Sequence, residues 1–150
     1  MTQNNKLSGK LELNWVNKNK TLIVSDYERV KYEWVDPNDY RVSEVRLLKE
    51  VEKVGENPTD NLIIQGDSLN ALISLTKIPE YRQKYVNKVK LIYIDPPFNT
   101  GQMFTNYDDQ LEHSVWLTMM RDRVLKAWKL LSDDGSLWVH LDDTEYIILN

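Results

Sequence analysis

LIYIDPPFNTG, residues 91–101, carries the reading of the whole chain. Leu91 to Ile94 are apolar or aromatic without a break, as in a strand covered on both faces. An acid, two prolines and a phenylalanine follow at once. A strand that stops for architectural reasons more often finishes in Gly, Asn or Ser, which turn the backbone cheaply. Here Pro96 biases Asp95 away from the helical region, and the two rings fix φ at both following residues. Neither proline has an amide hydrogen. Asp95 and the carbonyls after it therefore form a stiff group of acceptors without an adjacent proline donor.

Outward from that stretch, the pattern upstream is strand NLIIQ (61–65), turn GDS (66–68) and helix LNALISL (69–75), with Leu69, Leu72, Ile73 and Leu75 on one side. A polar connection leads into strand KVKLIYI (88–94). This is β-α-β, which implies parallel strands buried on both faces and joined by a right-handed crossover. Downstream, a long helix is predicted at about 113–131, a turn SDDG at 132–135 and a third strand SLWVHL at 136–141. Strands alternating with helices make an α/β class fold with an open, doubly wound sheet. Ligands in such sheets sit beyond the carboxyl ends of the strands. Asp67, Asp95 and Asp142 each follow an apolar strand, so one rim should hold all three.

Residues 1–57 read as a leader or accessory segment, and 58–150 as the body of the domain. The first part is mixed: a β-rich piece Leu22-Ile23-Val24, a DPND turn at 36–39, and a helix carrying Val42, Val45, Leu48 and Val51. GENPTDN, 55–61, reads as a loop.

The 150 residues are the length of one domain. The formal charge of -4 gives no global basic signature, so any nucleic-acid contact must come from a local patch or a larger assembly. The absence of cysteine excludes disulfides, thiolate metal sites and cysteine nucleophiles, and suits a reducing cytosol. No metal site is assigned. The polar start MTQNNKLSGKLELNW has no signal or membrane-spanning run, and the chain reads as soluble and cytoplasmic. It stops at LDDTEYIILN, where an acidic cap opens onto apolar residues, and this reads as a fragment or a truncated frame.

A substrate that wants only acceptors is an amino group, and Phe98 offers a face for a planar ring. An aromatic amine is a poor nucleophile because its lone pair is delocalised. Two acceptors that hold its hydrogens out of the ring plane localise the lone pair and aim it, as methyl transfer to the exocyclic amine of a nucleobase requires. The competing reading is that Asp-Pro-Pro simply terminates a strand; its place after a buried strand, with an aromatic next, favours chemistry.

DPPF with NTG, the upstream QGDSLNAL and the downstream DDQLEHSVWLTMMRDRVLKAWKLLSDDGSLWVHLDDTE resemble the amino-methylating DNA methyltransferases of the β arrangement, and especially the modification (Mod) subunits of type III restriction-modification systems. The resemblance covers about residues 61–150 and implies an incomplete Rossmann-like methyltransferase fold that uses S-adenosylmethionine. The acceptor it implies is adenine N6 in double-stranded DNA, with Asp95, Pro96, Pro97 and Phe98 as the catalytic group. Asp95 and the Pro96 carbonyl would accept from the amine, and Phe98 would stack on a flipped adenine. Flipping costs a few kcal/mol, of which a stacking aromatic returns about 1–3 kcal/mol. Asp67 and Ser68 would bind the donor, although Gly66-Asp67-Ser68 is also an ordinary helix cap. Asn99, Thr100 and Gly101 would line the loop beside the base, with Gly101 giving backbone freedom. A homodimer and a restriction subunit are the implied partners, with no membrane.

The glycine-rich turn that approaches the methionine end of the donor in this family has no counterpart here. In the permuted arrangement it lies beyond the acceptor motif and a target-recognition region, so the 150 residues alone are expected to methylate little or nothing. Asp at position 95 favours adenine over the cytosine amine, where Ser is more usual, or a protein glutamine, where Asn is. A non-catalytic remnant is the other alternative. Trp116, Met119, Met120, Leu125 and Trp128 read as core, Asp142 with Glu145 as a capping box, His140 as structural, and Arg121, Arg123, Lys126 and Lys129 as a solvated helix face.

Overall fold

The computed structural model describes residues 12–26, 31–55, 61–98 and 112–143, together with the main chain of 103–104 and 107–108. Asn99, Thr100, Gly101 and Glu145 lie outside the described residues, as does most of the GENPTDN loop. The elements run β1 (Thr21–Asp26), β2 (Lys31–Val35), α1 (Tyr40–Ser43), α2 (Ser68–Lys77), α3 (Pro79–Tyr85), β3 (Val89–Ile94), β4 (Met103–Phe104), β5 (Tyr107–Asp108), α4 (His113–Ala127) and β6 (Leu131–Val139). The fold is α/β, and the described residues form three two-stranded sheets: β1-β2 antiparallel, β3-β6 parallel and β4-β5 antiparallel.

The parallel pair organises the molecule. Ile92 faces Leu137 and Ile94 faces Val139 in register. The crossover between the strands contains α4, so the β-α-β unit spans 89–139 rather than 61–94. Residues 61–65 form no strand, contrary to the expectation from NLIIQ. Ile63 is 98% exposed there, so its apolar run finds no sheet edge among the described residues and burial cannot reward an extended pairing. The outer face of the parallel pair is also open: Leu91, Tyr93 and Trp138 are exposed, and only one face is covered by described residues.

The predicted turn at 132–135 is a bulge inside β6. Val89 pairs with Leu131 and Leu91 with Ser136, so the extra residues loop out opposite Lys90. Ser132 Oγ donates to the Val89 carbonyl, and Lys90 Nζ lies 2.6 Å from Asp134 Oδ2. Gly135 is required by close approach, because a Cβ there would sit 2.7 Å from the Val89 carbonyl oxygen.

Helix α4 starts where expected and ends at Ala127, four residues early. Leu130 and Leu131 are buried at the entry to β6, and the Lys88 and Val89 amides donate to the Leu130 carbonyl, so strand pairing captures the chain that periodicity assigned to the helix. The segment predicted as helix over Val42 to Val51 forms only the single turn α1; Leu47, Val51 and Val54 are exposed, and no apolar stripe is buried to support a longer helix. The connection after α2 is itself helical, since Pro79 pre-sets the first turn of α3 and Asn87, at φ 58°, follows its end in the left-handed region.

The core lies between α4 and β1. Leu22, Trp116, Leu117, Met119 and Met120 are buried together, with Trp15, Tyr32, Trp34, Ile94 and Val139 packed around them. Each such buried apolar side chain contributes about 1.5–3 kcal/mol. Polar groups on α4 satisfy the segment that covers them: Trp15 Nε1 donates to Thr118 Oγ1 at 2.7 Å, and the Leu22 amide to Asp122 Oδ2 at 3.3 Å. Arg121 donates to the Lys18 and Lys20 carbonyls and to Asp122. It is therefore a clamp and not part of a solvated face. Leu125 and Trp128, read as core, are 59% and 65% exposed.

Candidate active site

Both parallel strands end at the same level. The His140 amide donates to the Ile94 carbonyl at 2.9 Å and ties the residue after β6 to the last residue of β3. Asp95 comes next on one strand, and its carboxylate is 63% exposed. His140 Nδ1 lies 3.6 Å from Asp95 Oδ1. The imidazole stands 5.2 Å from the Phe98 ring, tilted by 58°, and 6.4 Å from Tyr93. An open carboxylate thus has the His140 ring beside it, and that ring in turn lies near Phe98 and Tyr93.

Pro96 is buried, while Pro97 and Phe98 are half-buried. Trp116, fully buried near the start of α4, donates through Nε1 to the Pro97 carbonyl at 2.7 Å. The stiffness expected from two prolines is therefore doubled by a hydrogen bond from the core. Asp95 is presented to solvent on a backbone that cannot easily move.

Asp67 and Ser68 lie in a different setting. Asp67 caps α2, with Oδ1 accepting from the Asn70 amide at 3.0 Å. Its Oδ2 takes Arg123 Nη2 at 2.6 Å, and Ser68 Oγ takes Arg123 Nε at 2.7 Å. The Arg123 and Asp67 side chains are 11% and 10% exposed. The pair binds α2 to α4 and, like Arg121, removes Arg123 from the solvated face expected for it. Above it, burial pushes the Tyr32 phenol up; the Arg123 charge opposes this and Asp67 adds to it.

Because Asp67 follows a stretch that forms no strand, the rim has two strand ends among the described residues, not three. Asp95 and Asp142 follow the paired strands, and Asp67 is set apart by its cap and its ion pair. Tested against the donor implied by the motifs, Asp67 and Ser68 do not fit as free acceptors in this conformation, since each side chain is already engaged by Arg123 or by the helix end. The Asp95 rim does fit an amine, being acceptor-rich, open and bordered by rings.

His140 is the residue that sequence reasoning missed. Periodicity set it aside as structural, yet it touches both Asp95 and Phe98. The signal was available in the parallel pairing: SLWVH reaches its first polar side chain after the apolar run just as LIYID does, so in-register strands put the two side by side.

Residues 89–149 match the DNA methylase family. The probable HindVI Mod subunit of Haemophilus influenzae, a type III restriction-modification enzyme, is 49% identical over 92 residues, covering 61% of this chain and 12% of that protein. The StyLTI Mod subunit of Salmonella typhimurium is 32% identical over 114 residues, 57% of this chain and 17% of its own length. The EcoPI Mod subunit of Escherichia phage P1 is 30% identical over 117 residues, 58% of this chain and 17% of that protein. The chain thus spans only a small share of these relatives. No solved structure matches it. No described helix is long and apolar enough to cross a membrane. Residues 89–149 match the DNA methylases, and the chain is similar to the Mod subunits of type III restriction-modification enzymes, as its motifs indicated.

Proposed function

We propose that the chain carries the amine-accepting half of a DNA adenine methyltransferase, the modification component of a restriction-modification system. The observation that supports this most is the open Asp95 carboxylate on a doubly fixed Asp-Pro-Pro turn, with Phe98 and His140 beside it. In this reading the substrate is double-stranded DNA with the target adenine flipped out of the stack. The Asp95 carboxylate and the Pro96 carbonyl accept the two amine hydrogens, which turns the lone pair outward. Phe98 stacks on the base, and His140 steadies both Asp95 and Phe98. Asn99, Thr100 and Gly101 line the approach to the base. S-adenosylmethionine supplies an electrophilic methyl group when bound.

The same reading gives the complete enzyme an open, doubly wound Rossmann-like sheet to which β3 and β6 contribute neighbouring strands. Its remaining parts are a donor site completed by other segments, a dimer of modification subunits and a restriction subunit as partner. A donor role for Asp67 and Ser68 then requires them to give up Arg123.

The test replaces the corresponding stretch of the HindVI Mod subunit with residues 61–150 of this chain and measures transfer of labelled methyl groups from S-adenosylmethionine to unmethylated DNA. Label should enter DNA with the wild-type graft. Asp95→Ala should lower the rate by about two to three orders of magnitude, the scale of losing one preorganised group that stabilises developing charge. Full activity in Asp95→Ala, with the graft folded, would return DPPF to the role of a strand terminator.

A further inference from the structure

The end of the β3-β6 pair away from Asp95 has its own character. Val89 and Ile94 are separated by five residue steps, about 17 Å along the strand, so this end is well removed from the acceptor site. A cavity of about 630 Å³ opens there beside Val86, Asn87 and Leu131. Four cations line it from different elements: Lys77 ends α2, Arg82 lies on α3, Lys126 in the last turn of α4, and Lys129 in the turn after it. Among the described residues Asp133 is the only acid in the lining, and Trp128 is 65% exposed.

This gathering runs against the chain's formal charge of -4. Among the described residues none of the four cations makes an ion pair, whereas Lys20, Lys90, Arg121 and Arg123 are paired with Asp36, Asp134, Asp122 and Asp67. Burial first, and then the charges of Lys129 and Lys77, push the Lys126 ammonium below the ordinary lysine range; the pull of Asp122 is the weakest influence on it. Crowded cations that outnumber the acids beside them disfavour their own charged state, and a bound anion relieves this. An inorganic anion would answer the charge and leave the indole unused. A groove of cations with an exposed aromatic ring suits a strand whose phosphates take the charges while an unpaired base stacks on the ring.

We propose that this cavity binds single-stranded nucleic acid, with a backbone phosphate among Lys77, Lys126 and Lys129 and an unpaired base against Trp128. The inference goes beyond methyl transfer and does not depend on it, because binding is read on the 150-residue chain without a methyl donor.

The experiment is fluorescence anisotropy of a labelled single-stranded 12-mer, with the matching duplex, adenosine monophosphate and inorganic phosphate as the other ligands. The wild-type chain should bind the single strand more tightly than the duplex, with affinity falling as salt rises. Lys126→Gln/Lys129→Gln should weaken binding at least tenfold and flatten the salt slope by about one to two, roughly one for each phosphate that is no longer neutralised. Trp128→Ala should weaken the single strand about tenfold and the duplex much less. Lys77→Gln/Arg82→Gln removes the same charge from α2 and α3, and circular dichroism verifies that each variant is folded. Lys49→Gln/Lys53→Gln makes the same change in charge away from the cavity and should bind as the wild type does.

Four results would overturn the proposal. They are no binding by the wild type, unchanged binding in both cavity pairs, equal loss in the Lys49/Lys53 pair, and capture of adenosine monophosphate or phosphate with no binding of the strand.

Discussion

Trp116 is the residue on which the Asp-Pro-Pro turn rests. It is fully buried and spends its only polar atom on the Pro97 carbonyl. Trp116→Phe keeps most of the apolar contact but leaves that half-buried carbonyl without its donor, a loss of about 1 kcal/mol. Urea unfolding should show that loss, and the graft should lose methylation beyond what stability explains, because the turn that aims Asp95 has been loosened. In the proposed reading His140 is a positioning residue, since it would act through Asp95 and Phe98, which it touches. His140→Ala should lower kcat of the graft about tenfold with little change in KM for DNA. His140→Asn, whose amide can stand where Nδ1 stands, should recover part of that rate. Equal kcat in all three would remove His140 from the site.

At the scale of elements, the Asp67–Arg123 pair makes α2 and α4 one unit. Asp67→Ala removes a helix cap worth about 1 kcal/mol and strands an almost buried guanidinium, for a total cost of about 3–5 kcal/mol. Asp67→Leu with Arg123→Met should recover much of this in urea unfolding, because it removes both charges together. Asp39, the cap of α1, behaves differently. Its side-chain and backbone hydrogen bonds with Arg41 hold its carboxyl down at about 2. A depressed carboxyl contributes above its ordinary value of 3.8 and loses that contribution as pH falls through about 2. A titration followed by the Arg41 amide resonance should therefore stay flat above pH 4 and move only below it; movement centred near 4 would contradict the cap.

These elements also show what could be read in the sequence. α2 was legible because the Asp67 cap and burial agree there with periodicity, the start of α4 because burial does, and β3 because its apolar run finds a parallel partner in β6. NLIIQ and the helix over Val42 to Val51 were not legible, since an apolar pattern forms an element only when another surface covers it. The SDDG bulge was hidden for a related reason: turn chemistry marks a departure from the strand but not a return to the same one. At the site, Asp95, Pro96, Pro97 and Phe98 could be placed at a strand end by local sequence. Trp116 and His140 joined them only through long-range packing and register.

At the scale of the whole molecule, two ends of one parallel pair have opposite chemistry. The carboxyl end presents Asp95 with rings about it, and the amino end gathers cations around Trp128. The core that keeps these ends apart is shared with the N-terminal segment, because Trp15 and Leu22 pack on α4 and Arg121 fastens residues 18–20 to it. Arg121→Ala should therefore loosen the segment before it unfolds the parallel pair. Amide hydrogen exchange should report this as faster exchange in β1 than in β3; uniform acceleration would mean that the clamp serves the whole fold equally. The amine-accepting role of the Asp95 rim is tested most directly by mass analysis of the nucleosides from DNA incubated with the graft and S-adenosylmethionine. N6-methyladenine that appears with the wild-type graft and disappears with Asp95→Ala is the expected result; N4-methylcytosine would overturn the adenine assignment alone, and no methylated base from a folded graft on a competent scaffold would contradict the amine-accepting role.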